Sequence, residues 1–83
     1  MHTNDLINWS EAIPKKVSVR IDGHSTSVSL EQPFIDILKA IADGKGQTLA
    51  FVISDIDSKR PPQINLSASL RIYALQSVLR QRL

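Results

Sequence analysis

Ser25, Ser27 and Ser29 occupy alternate positions, which puts three short hydroxyls on one face of any extended segment that carries them. Serine fills a strand poorly, so such a face is suited to hydrogen bonding rather than to packing. A hydroxyl both donates and accepts, and so can meet either kind of polar edge. Just upstream, Lys15, Lys16 and Arg20 supply cations that can clamp phosphates. Together these residues can recognise a polar, anionic surface; they make and break no bonds.

The other polar residues do not assemble into a reactive centre. His24 beside Asp22-Gly23 reads as a hydrogen-bonding turn residue, and the second histidine, His2, lies in a tail, so no metal site is expected. Asp55 and Asp57 are two residues apart in a helical stretch and do not face each other. Asp57 is expected to hydrogen-bond locally near the helix end. Gly44-x-Gly46 lacks the Lys-Ser/Thr pair of a phosphate loop and reads as a turn. No nucleophile is accompanied by a base and an orienting group, so no enzymatic activity and no cofactor are expected.

The elements that must position the serines follow from periodicity. Val17, Val19 and Ile21 share one face of a strand, with Ser18 and Arg20 on the other. Asp22-Gly23 is a two-residue hairpin signal, because both residue types tolerate positive φ. In the second strand Thr26, Val28 and Leu30 share a face opposite the three serines. Glu31 to Ala42 is predicted helical, with Phe34, Ile37, Leu38 and Ile41 on its apolar side and Pro33 in the first turn. Ser29 or Glu31 is the expected cap. Asp43 to Gly46 ends this helix, and Thr48 caps a second, whose apolar side is Leu49, Val52, Ile53 and Ile56.

Pro61-Pro62 enforces an extended linker, and Asn65 or Ser67 caps a third helix. Leu66, Leu70, Tyr73 and Ala74 line one side of it, and Ile72, Leu75, Val78 and Leu79 widen the stripe beyond a single contact surface. Arg71 beside this stripe is expected to pair with a carboxylate at a dimer interface. Arg80 and Arg82 suit the negative end of the helix. Residues 1–14 are expected to be a loosely ordered arm pinned by Trp9 and Ile13, with one domain over residues 15–83.

Composition limits the partners. The 83 residues carry a net charge of +2, no cysteine and 5% aromatics. Disulfides and thiolate metal sites are excluded. The few aromatics argue against a stacking platform for single-stranded nucleic acid. No apolar run approaches the ~18–20 residues that cross a bilayer, and the N-terminal stretch lacks a signal-peptide core, so no membrane contact and a cytoplasmic location are expected. A chain this short buries only about 60–65% of its unfolded surface, and a lone hairpin is marginal. An economical solution is an α+β homodimer in which two chains pair strands over a shared helical core. That core would contain Val28, Leu30, Phe34, Leu38, Val52, Ile53 and Ile56. A two-stranded ribbon suits the major groove of double-stranded DNA, which is ~12 Å wide.

Gly23-His24 before Thr26-Ser27-Val28-Ser29-Leu30-Glu31, then Phe34, Gly46, Thr48-Leu49, Ile53, Ile56-Asp57 and Asn65-Leu66-Ser67-x-x-Leu70-Arg71-Ile72, resemble the ribbon-helix-helix family over roughly residues 16–78. The closest likeness is to a small bacterial subgroup, here with an added C-terminal helix. The resemblance implies an interlocked homodimer and a role in transcription regulation. It implies base contacts from Ser25, Ser27 and Ser29, and a phosphate gripped by the backbone N–H groups of Thr48, Leu49 and Ala50. Lys16 and Arg20 would flank them. Related sequences usually carry a basic residue where this chain has Ser25. If Val17–Ile21 folds back on the serine strand, a strand-paired dimer has four strands spanning roughly 14 Å, wider than the groove. The alternative reading is an antitoxin-like interaction module that binds a partner protein through the C-terminal helix or the N-terminal arm.

Overall fold

A computed structural model describes residues 7–82. Residues 1–6 and Leu83 lie outside it, and with them His2 and the first half of the expected arm. Two strands, β1 (Lys15–Ile21) and β2 (His24–Leu30), precede three helices, α1 (Gln32–Gly44), α2 (Leu49–Lys59) and α3 (Leu66–Arg82). The strands form an antiparallel hairpin paired along its whole length, from Lys15 opposite Leu30 to Ile21 opposite His24. Asp22 (φ 52°) and Gly23 (φ 80°) make the turn. Two consecutive positive φ values match the twist of the strands on either side, which is why this dipeptide closes hairpins.

Alternation decides the two faces. Val19, Ile21, Val28 and Leu30 are buried against the helices, with α2 under β1 and α3 under β2. The strand that shields β2 is therefore β1 of the same chain. Leu30, Leu38, Ile53 and Leu70 are fully enclosed, and each such side chain contributes about 1.5–3 kcal/mol relative to exposure.

The core ranks the residues of the expected apolar faces. The innermost residues of α1 are Ile35, Leu38 and Ala42, while Phe34, Ile37 and Ile41 sit half-buried at the edge of the core. The helix rotates its central stripe towards α2 and α3, and Phe34 is left at the margin. Ile56 is likewise half-buried, whereas Val52 and Ile53 are buried. Among the described residues of α3 only Leu70 and Ala74 are buried; Ile72, Leu75 and Leu79 face outward.

The capping pattern is also more specific than expected. Glu31 occupies the cap position of α1 with its backbone carbonyl, which accepts from the amides of Phe34 and Ile35, but its side chain makes no cap bond. Thr48 caps α2, its Oγ1 accepting from the Phe51 amide at 3.0 Å. Asn65, not Ser67, caps α3, its Oδ1 accepting from the Ala68 amide at 2.7 Å. Trp9–Ala12 forms one 3-10 turn beside α1, yet Trp9 and Ile13 remain 64% and 65% exposed and do not pin the arm.

Candidate nucleic-acid interface

The hairpin's outer face is built by its register. Lys16 stands opposite Ser29, Ser18 opposite Ser27, and Arg20 opposite Ser25. All six residues are exposed. One chain thus presents a full two-stranded ribbon, with four hydroxyls between two cations. Ser18 completes this set. Its alternate position in KVSVRI was the only sequence signal for it, and the register is what brings it against Ser27. The two hydroxyl oxygens lie 3.4 Å apart.

Arg20 supplies a basic group directly across from Ser25. Its Nη2 donates to the Gly23 carbonyl at 2.7 Å, which holds the guanidinium at the tip of the hairpin. Ile21 and His24 flank the two-residue turn and form its first hydrogen-bonded pair. Antiparallel alternation then turns the backbone N–H and C=O groups of Ser25, Ser27 and Ser29 away from β1, towards the free edge of β2.

The second set of expected contacts lies at the head of α2. The Thr48 side chain satisfies the Phe51 amide, and the Thr48 carbonyl accepts from Val52 at 3.2 Å. The amides of Leu49 and Ala50 have no preceding helical carbonyl and carry the positive end of the helix dipole. Leu49 and Ala50 are half-buried and Thr48 is exposed. Phe51, next in line, is 55% exposed, an aromatic that periodicity alone did not mark.

Arg71 meets a carboxylate of its own chain rather than one across an interface: it binds Glu31 with two hydrogen bonds. These bonds hold the Glu31 carboxyl below its ordinary value of 4.5, with the Glu31 backbone contributing second. Asp57 accepts from Arg60 Nε at 2.9 Å near the end of α2, a local bond of the expected kind. No cluster of three or more metal-ligating side chains occurs among the described residues.

The family model described as ribbon-helix-helix domain matches residues 14–78, most of the chain. The chain belongs to the ribbon-helix-helix family. Ribbon-helix-helix domains are typically non-enzymatic DNA-binding regulators. The structure is similar to that of an uncharacterized protein from Bordetella pertussis Tohama I, with a TM-score of 0.83, 26% identity, and coverage of 99% of this chain and 71% of that one. No curated protein matches. No helix among the described residues is long and apolar enough to cross a membrane.

Proposed function

We propose that this ribbon-helix-helix chain is a DNA-binding transcriptional regulator of the cytoplasm that works as a homodimer and lays its hairpin into the major groove. One observation carries the reading: the outer face of the hairpin is a single polar sheet of Lys16, Ser18, Arg20, Ser25, Ser27 and Ser29, two strands wide. Two strands at ~4.8 Å spacing fit a groove ~12 Å wide. Adding a second copy along the free edge of β2 would restore the four-stranded width that does not fit. The hydroxyls address base edges, Lys16 and Arg20 the flanking phosphates, and the amides of Thr48, Leu49 and Ala50 a further phosphate.

The experiment is a mobility shift on random duplex DNA at two salt concentrations, followed by selection of a preferred site. Phosphate contacts require binding at low salt and release at higher salt. A folded chain that ignores duplex DNA at low salt would overturn the reading. A protein-interaction role for the same fold is favoured by a different observation, the exposure of Trp9, Ile13, Ile72, Leu75 and Leu79. It takes first place if DNA binding is absent.

A further inference from the structure

We propose that the outer edge of β1 is a docking site for an extended, acidic segment of a partner protein, which joins the hairpin as a third, antiparallel strand. This edge lies on the opposite side of the sheet from the free edge of β2.

The register leaves the β1 edge open. Ile21 and His24 form the hydrogen-bonded pair beside the turn, and every second pair after it repeats that pattern. Lys15, Val17, Val19 and Ile21 therefore bond across to β2. The N–H and C=O groups of Lys16, Ser18 and Arg20 point the other way, out from the sheet. The sheet ends at β1, and no backbone bond from another element reaches these groups among the described residues. Helix α2 supports the strand from below. A row of unpaired groups on a supported edge is a template for a further strand.

Charge decides what kind of strand this edge takes. Strand β1, KKVSVRI, has Lys15, Lys16 and Arg20 and no carboxylate, whereas β2, HSTSVSL, has no Lys, Arg, Asp or Glu. None of the three cations has an ion-pair partner among the described residues, and the Arg20 guanidinium donates to the neutral Gly23 carbonyl. A second β1 is repelled from this edge, and an acidic segment is drawn to it. Alternation specifies the segment further. Lys16 and Arg20 stand four residues apart on the exposed face with Ser18 between them, so the carboxylates belong at matching positions around a short polar residue. The intervening residues face the helices beside Val17 and Val19, and are apolar. Lys16 and Arg20 are also the cations assigned to phosphates above, so the segment and duplex DNA compete for them.

Titration calorimetry of the full chain with a blocked peptide, Thr-Glu-Val-Thr-Val-Glu-Thr, tests this at two salt concentrations, with amide hydrogen exchange as a second readout. The expected result is binding that weakens with salt. The peptide should slow exchange at the amides of Lys16, Ser18 and Arg20 and leave those of Ser25, Ser27 and Ser29 unchanged. Ser18→Pro removes an outward N–H that the hairpin does not use, a position where an edge strand accepts proline. It should weaken peptide binding by at least about tenfold, with a melting temperature near that of the parent. A peptide N-methylated at both glutamates and the central threonine should lose binding to the parent in the same way. Replacing both glutamates with lysine should abolish binding to the parent, and the Lys16→Glu, Arg20→Glu double variant should take that lysine peptide instead. No binding at millimolar peptide overturns the proposal. So does binding that survives Ser18→Pro or N-methylation, because charge alone would then account for it. These readouts contain no DNA, so the docking site and the DNA reading fail separately.

Discussion

Arg71 and Glu31, 40 residues apart in the chain, bind two-on-two: Nε donates to Oε1 at 2.8 Å and Nη2 to Oε2 at 3.1 Å. The pair ties α3 to the point where the chain leaves β2 and enters α1. Parallel bonds of this kind are geometrically selective, because only a planar fork matches a carboxylate in this way. Both side chains are partly exposed, at 34% and 23%, so the pair orients the two elements more than it stabilises them.

Acid should unlock this pair. Arg71 holds the Glu31 carboxyl below its ordinary value of 4.5, so the folded chain binds that proton less readily than the unfolded one. The contribution to stability is complete above about that pH and is lost as pH falls through the lowered value. Arg71 does not titrate in this range. Thermal melts of the parent and of Arg71→Met should differ by a constant amount near neutrality and converge in acid, with a smaller gap at high salt. Curves that stay parallel into acid would remove Glu31 from the account.

The polar ribbon should be separable from the fold. Ser27→Glu places a carboxylate at the centre of the exposed face and should abolish duplex binding, with stability changed by about 0.5 kcal/mol or less. Arg20→Ala should reduce the slope of log K against log salt by about 1. A large drop in melting temperature for Ser27→Glu would mean that the outward face matters to packing.

The turn should penalise a side chain at Gly23 through its backbone angle. Its φ is +80°, and an added Cβ would meet nothing within 4 Å, so the cost is backbone strain alone. Gly23→Ala should destabilise by about 1–2 kcal/mol in chemical denaturation, with an unchanged m-value. Gly23→Asn should cost less, since asparagine accepts the left-handed region. Equal losses for both would point to a cause other than φ.

Core charges should be fatal. Val28 is 4% exposed and Ile53 is 0% exposed, so Val28→Asp or Ile53→Asp buries a carboxylate with no partner. Costs of order 4–5 kcal/mol are a large share of the stability of so small a domain. Both variants should lose cooperative melting in circular dichroism. A cooperative melt near the parent's would show that the hairpin and α2 do not share one core.

The sequence alone determined what depends on neighbours a few residues away. Alternation put Ser25, Ser27 and Ser29 on one side of β2, Asp22-Gly23 marked the turn, and Thr48 announced the start of α2, because strand faces, turn conformations and caps are set within a few bonds. The tertiary structure decided everything that depends on which segments meet. Phe34, Ile37 and Ile41 satisfy helical spacing as well as Ile35 and Ala42 do, and only the positions of α2 and α3 select the innermost stripe. Ser18 and Arg20 joined the serine face only through the strand register. Glu31 was readable as a cap, but its carboxylate turns to Arg71, since an ionised guanidinium outcompetes a backbone amide once packing brings it within reach.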